Sequence, residues 1–176
     1  YEKRGVAVTV PEWIPENCIQ CNQCSYVCPH ATLRPFAMNA DEAANAPEST
    51  KFTAKMIGKG CEDYKFTIAI SPLDCMGCGL CVNVCPVAIK AKANGTPEKT
   101  AIRMVPQATQ ADQQAAFDYA VANVSKKDLP FAEFSVKGSQ FNQPLLEFSG
   151  SCAGCAETSY DRLITQLFGE RMYISN

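Results

Sequence analysis

Cys75-Met76-Gly77-Cys78-Gly79-Leu80-Cys81-Val82-Asn83-Val84-Cys85-Pro86 decides how the rest of the chain is read. Its cysteines follow the spacing C-x2-C-x2-C-x3-C-P. The same run stands earlier, at Cys18, Cys21, Cys24 and Cys28, with Pro29 behind it. Each cysteine of the second run lies 57 positions after its counterpart (75 − 18, 78 − 21, 81 − 24, 85 − 28). Chance does not plausibly produce such a run twice. Thiolates at this spacing suit iron–sulfur cubanes: three come from one tight loop, and the fourth falls at a distance suited to a neighbouring cluster. Two [4Fe–4S] clusters are therefore expected. The duplication implies a pseudo-twofold arrangement in which the fourth cysteines cross over. One set is then Cys18, Cys21, Cys24 and Cys85, and the other is Cys75, Cys78, Cys81 and Cys28.

The composition fits this reading. The chain has 176 residues and a formal charge of -2, so neither nucleic acid nor an anionic membrane is an expected partner. No apolar stretch reaches the roughly 18 residues of a membrane span. The first residues lack the apolar core of a signal peptide. Eleven cysteines in a small secreted chain would suggest disulfides, but this spacing argues for metal and hence for a reducing cytoplasm, as in an anaerobe. The runs do not match the ligand spacing of a structural zinc module. The expected class is α+β, a two-cluster bacterial ferredoxin-like domain over residues 1–105 with a long insertion at about 37–63.

Around the first run, residues 6–10 read as a strand that Pro11 ends, and residues 25–28 as a helical turn closed by Pro29. Ile19 and Val27 are apolar positions near the cluster that both fill core and exclude water. His30, the single histidine, reads as structural or as a hydrogen-bond partner of the site. Residues 33–36 form a candidate strand. Asn39 with Glu42 three positions later marks a helix start. Residues 64–70 alternate as a strand does, and Pro72 closes them. Cys61 lies outside every ligand spacing and reads as a partly exposed free thiol.

Beyond the second run, Gly77 and Gly79 supply the dihedrals a loop around a cubane needs. Val87, Ala88 and Ile89 are expected as an exit strand mirroring Ala31, Thr32 and Leu33. The basic stretch from Lys90 to Gly95 reads as a solvated edge strand, or as a docking surface for an acidic electron carrier. Residues 100–105 read as a strand. Residues 109–124 read as the clearest helix, capped by Thr109 with Asp112, with Ala116, Phe117, Ala120, Val121 and Val124 as its apolar stripe. Residues 106–149 are expected to be this helix and then an extended connector. Cys152 and Cys155 form one more C-x2-C, open to reading as half a zinc site, a dithiol or half of another cubane. Residues 158–168 read as a helix with Gly169 as its C-cap. The last residues, from Arg171, look like a strand just begun, as in a segment of a longer polypeptide.

Three stretches carry a resemblance. They are Pro72-Leu73-Asp74-Cys75-Met76-Gly77-Cys78-Gly79, Lys137-Gly138-Ser139-Gln140-Phe141, and Gln143-Pro144-Leu145-Leu146-Glu147-Phe148-Ser149-Gly150-Ser151-Cys152-Ala153-Gly154-Cys155. Together they resemble pyruvate:ferredoxin (flavodoxin) oxidoreductase across essentially the whole chain. The resemblance implies that the ferredoxin-like domain precedes an α/β thiamine diphosphate domain, beginning here at residues 150–176, that carries a third, proximal cubane. Cys152 and Cys155 match two ligands of that cubane, and Glu157 and Thr158 match residues near the cofactor end of that domain. Ala156 and Ser159 replace the family's more usual Gly and Pro.

The resemblance further implies thiamine diphosphate and Mg2+ in the full enzyme, which would also be a homodimer. Its partners would be the remainder of the same polypeptide, pyruvate, coenzyme A, and ferredoxin or flavodoxin. This chain would then be an electron wire with no catalytic residue of its own. The alternatives are a stand-alone carrier with two [4Fe–4S] clusters, or the iron–sulfur part of another 2-oxoacid oxidoreductase.

Overall fold

The computed structural model describes residues 3–146, 155–173 and 175. It divides into two units, residues 1–142 and residues 143–176. In the first unit the strands are β1 (Thr9–Trp13), β2 (Leu33–Met38), β3 (Lys65–Ile70) and β4 (Ile102–Pro106). Its helices are α1 (Gln23–Tyr26), α2 (Ala40–Ala44), α3 (Leu80–Val84), α4 (Pro86–Ala93), α5 (Gln113–Asn123) and α6 (Val136–Ser139). β1 pairs antiparallel with β4, and β2 with β3, giving two small sheets in an α+β unit.

Pro11 does not end β1, as the sequence suggests; the strand runs on to Trp13. The register explains why. Gln107 N–H donates to Val8 O, and Ile14 N–H donates to Ala101 O. Antiparallel pairs alternate between hydrogen-bonded and non-hydrogen-bonded. Pro11, opposite Met104, therefore falls at a non-bonded pair, where its missing N–H is not needed. In the other sheet, Ser71 N–H donates to Thr32 O, which puts Pro35, opposite Ile68, at the same kind of position.

α2 opens on a full capping box. Asn39 Oδ1 accepts from Glu42 N–H at 2.8 Å, and Glu42 Oε2 accepts from Asn39 N–H at 2.9 Å. Two other expectations need correction. Val87, Ala88 and Ile89 lie in α4, not in an exit strand, and the basic stretch after them continues that helix through Lys90 and Lys92. Pro86 supplies the fixed φ of a first helical turn, the buried Ala88 and Ala91 face inward, and the two lysines suit the negative C-terminal end. Thr109 does not cap α5. It lies in a 3-10 turn, Gln107–Gln110, where its hydroxyl donates to Pro106 O, and the helix begins at Gln113.

The core gathers Trp13, Leu33, Phe66, Ile68, Ile70 and Ile102 together with Cys81 and Cys85. β3 is buried along almost its whole length; Ala69 packs towards Ala120 of α5 while Phe66 and Ile68 face the main core. Residues 131–142, expected to be extended, include α6 and fold back onto this core. Phe141 stacks on Phe131 (6.0 Å) and meets Phe66 edge-on (6.3 Å), which in turn meets Trp13 edge-on (6.1 Å). Cys61, expected to be partly exposed, is fully buried in the same core.

The second unit contains α7 (Ala156–Phe168), two residues longer at its start than expected, with Gly169 as its C-cap. Leu163, Ile164, Leu167 and Phe168 form its exposed apolar side. A 3-10 turn, Gly169–Arg171, follows, and Met172 and Tyr173 are not in a strand as the sequence suggests. Among the described residues, no helix is long and apolar enough to cross a membrane.

Candidate metal centre

The first ligand loop leaves a 3-10 turn, Pro15–Asn17, that Asn17 ties to the start of β4 through Thr100 O at 2.9 Å. Two non-glycine residues between its cysteines take left-handed backbone conformations, Gln20 (φ 56°) and Asn22 (φ 60°). Both side chains are buried. Gln20 Nε2 donates to Thr53 Oγ1 (3.0 Å) and Lys55 O (2.7 Å), and Gln20 Oε1 accepts from Ile57 N–H (2.7 Å). Asn22 Nδ2 donates to Lys137 O (2.9 Å), and Ser25 Oγ donates to Gln140 Oε1 (2.9 Å). The insertion and the C-terminal stretch of the unit therefore both close on this loop.

The second loop follows Pro72 and Leu73, which Gln107 and Gln114 hold through backbone hydrogen bonds. Here Gly77 (φ 69°) and Gly79 (φ 72°) take the left-handed positions. A Cβ on Gly77 would lie 3.0 Å from Thr9 O and 3.3 Å from Ala7 Cβ, whereas a Cβ on Gly79 meets nothing within 4 Å. Cys78, Met76 and Leu80 are exposed.

The cysteine thiols surround two cavities. One is walled by Cys18, Cys21, Cys24 and Cys85 with Trp13 and Ile68. The other is walled by Cys28, Cys75, Cys78 and Cys81, with Thr32 and the exposed His30 at its edge. Each wall takes three thiols from one run and the fourth from the other. Ile19 borders the first cavity and is half exposed; Val27 is half-buried. Among the described residues, no three His, Cys, Asp or Glu side chains converge on a point that a single metal ion could fill. A cubane asks for something different, since its four thiolates bind four separate corners.

Burial raises the thiols of Cys18, Cys24 and Cys75 above their ordinary range and pushes Cys81 up to about 12; in every case the nearby thiols add to it. Such groups hold their protons at neutral pH until a cation displaces them, unlike the low-pKa thiolates of reactive cysteines. Cys24 and Cys81 act on one another electrostatically, so the two cavities are close neighbours.

The surroundings fit sulfur-rich groups. Backbone N–H groups of Gln20, Gly77 and Thr32 point at the Sγ atoms of Cys18, Cys75 and Cys28, at 3.3–3.4 Å. The buried Trp13 Nε1 borders the first cavity beside Cys18, whose thiol it draws down against the effect of burial, yet it meets no partner at full hydrogen-bonding geometry. A donor left unpaired in a protein interior is costly, and a cluster sulfur or thiolate would satisfy it.

Cys155 stands just before α7, where Thr158 Oγ1 donates to its carbonyl at 2.8 Å; Glu157 is exposed in the first turn. Cys152 lies outside the described residues. Gln20, Asn22 and Trp13 escaped the sequence reading. The signal for the first two was present, because 20 + 57 and 22 + 57 are the positions of Gly77 and Gly79.

A family model described as a 4Fe-4S dicluster domain matches residues 17–89, which hold both cysteine runs. The whole chain is 51% identical to pyruvate:ferredoxin oxidoreductase of Moorella thermoacetica and 48% identical to pyruvate-flavodoxin oxidoreductase of Klebsiella pneumoniae, spanning 14% of the length of each. It is also 44% identical to the mitochondrial pyruvate dehydrogenase [NADP(+)] of Euglena gracilis, over 9% of that protein. With identity of this order along its entire length and two walled thiol cavities in the matched segment, the chain matches a segment of the pyruvate:ferredoxin and pyruvate-flavodoxin oxidoreductases and carries a 4Fe-4S dicluster domain.

Proposed function

We propose that this segment conducts electrons through two [4Fe–4S] clusters inside a larger enzyme that oxidatively decarboxylates pyruvate with coenzyme A, yielding acetyl-CoA and CO2 and reducing ferredoxin or flavodoxin. The observation that carries the reading is the pair of neighbouring cavities, each walled by four thiols drawn three and one from the two runs. We assign Cys18, Cys21, Cys24 and Cys85 to the first cluster and Cys75, Cys78, Cys81 and Cys28 to the second. When bound, such clusters accept and release one electron at a time. The chain's own residues do the rest. Thiolates hold the iron, backbone N–H groups stabilise negative sulfur, and Trp13, Ile68 and Ile102 keep water from the first site.

Under this reading residues 1–105 are a ferredoxin-like domain and residues 106–149 lead to a thiamine diphosphate domain that opens at residue 150. Cys152 and Cys155 supply two ligands of a third cluster, and Glu157 and Thr158 lie near the thiamine diphosphate and Mg2+ site. The enzyme works in the cytoplasm as a homodimer. Iron and acid-labile sulfide analysis of the 176-residue chain, prepared without oxygen, tests the two-cluster assignment. About eight irons per chain, with matching electron paramagnetic resonance signals on reduction, is the expected result. About four or fewer in intact protein would refute it.

A further inference from the structure

Lys137 belongs to the stretch Lys137-Gly138-Ser139-Gln140-Phe141, for which electron transfer alone gives no role. The structure ties this residue to the first ligand loop once directly and once through Ile57. Its carbonyl accepts from Asn22 Nδ2 at 2.9 Å, and its Nζ donates to Ile57 O at 2.9 Å. Ile57 in turn gives its N–H to Gln20 Oε1 at 2.7 Å. A single residue, Ile57, thus joins the Lys137 ammonium to Gln20, which lies between Cys18 and Cys21. The ring of Phe131 lies beneath the ammonium at 4.1 Å and fixes it from the other side. Gly138 permits the close turn, since a Cβ there would fall 2.2 Å from Ala132 O.

Among the described residues, no carboxylate pairs with Lys137. Its half-buried charge instead rests on the Ile57 carbonyl and the Phe131 ring, close to the first ligand loop. Burial pulls its ammonium below the ordinary value, while Cys61, Cys21 and Cys18 work in the opposite direction. A cubane with four thiolates carries net negative charge that grows by one on reduction. A fixed cation beside it therefore favours the reduced state more than the oxidised one, and more strongly in a water-poor site.

We propose that Lys137 is a positioning residue whose ammonium raises the reduction potential of the cluster held by Cys18, Cys21, Cys24 and Cys85. The proposal rests on the two-cluster reading above. Both can be tested separately in the full-length protein, prepared anaerobically and followed by potentiometric titration with electron paramagnetic resonance detection. Iron content and the native cluster signals come first; their absence overturns the cluster reading before any variant is made, and this proposal with it. The midpoint lost in Cys85→Ser identifies the first cluster.

In Lys137→Met and Lys137→Gln that midpoint is expected to move to more negative potential at unchanged iron content, with the other midpoints unmoved. Lys137→Arg should keep it near the native value. Unmoved midpoints in both neutral variants would overturn the proposal. So would loss of iron in both, which would make Lys137 a strut for the loop, and so would a common shift of every cluster.

Discussion

At an offset of 57 residues, Gln20 matches Gly77 and Asn22 matches Gly79, and each pair shares a backbone conformation: φ 56° and 69° for the first, 60° and 72° for the second. The loops thus follow one path, but what lies over that path differs. Left-handed backbone costs a side-chain-bearing residue about 1–2 kcal/mol, and glycine very little. In the first loop, Gln20 makes three hydrogen bonds to the insertion and Asn22 one to residue 137. Each is worth about 0.5–1.5 kcal/mol net, so the three on Gln20 together offset its strain. The second loop accepts no such partners, and Cys78, Met76 and Leu80 face solvent. One ligand frame thus yields a loop braced from outside and a loop with a bare tip. The side chains that occupy its left-handed positions make the difference.

The largest expected effect bears on whether the ligands cross between the loops. In the native protein, a chelator should remove iron in two phases, with the site under the bare second loop emptying first. Cys28→Ser should abolish the fast phase and Cys85→Ser the slow one, each lowering iron by about four per chain. If Cys85→Ser removed the fast phase instead, each run would hold its own cluster and the crossed assignment would fall.

Next is the asymmetry within the second loop. Gly77→Ala combines left-handed strain with close approach to Thr9 O and Ala7 Cβ, and should lower stability by about 2–4 kcal/mol. Gly79→Ala meets only the strain, about 1–2 kcal/mol, and Gly79→Asn less still, since asparagine tolerates this region. Anaerobic unfolding midpoints should therefore be highest for Gly79→Asn, lower for Gly79→Ala and lowest for Gly77→Ala. Equal midpoints for the two alanine variants would show that packing against β1 does not distinguish the glycines.

Gln20→Ala tests the brace itself. It keeps most of the strain but strands the Ile57 N–H and releases Thr53 and Lys55, a loss of about 1–3 kcal/mol. Its specific signature is kinetic: the slow phase of iron release should approach the fast one. A slow phase as slow as the native one would mean the insertion stays in place without this anchor.

These contrasts also show which parts of the molecule a sequence can disclose. Ligand spacing is local, so both cysteine runs stand out, and the Asn39–Glu42 capping box is equally local. Pro11 misleads because its tolerance depends on which residues of β4 it faces, 93 positions away (104 − 11). Val87 to Ile89 mislead because the repeat invites a copy of the first exit. There Ala31 turns with φ 50° into β2, whereas Pro86 starts a helix. Cys61 sits among glycine and charged residues that suggest exposure, and its burial comes from Phe131 and the returning tail. That return is anchored by Asn22 and Ser25, each 115 residues from its partner, a separation no local pattern encodes.

The smallest expected effect isolates a single hydrogen-bond donor at the first site. Trp13→Phe keeps an aromatic ring in the core against Phe66 and removes only the unpaired Nε1–H and part of the ring volume. The lost volume should cost stability about 1–2 kcal/mol at most. If Nε1 donates to sulfur of the first cluster, the midpoint of that cluster alone should fall, because such donors favour the more negative reduced state. The second cavity has no counterpart to Trp13 in its lining, so its midpoint should stay in place. Redox titration separates this from general loosening of the core. Water entering a loosened first site would raise its midpoint, so a rise in Trp13→Phe would mean the indole acts by excluding water and not by donating its proton.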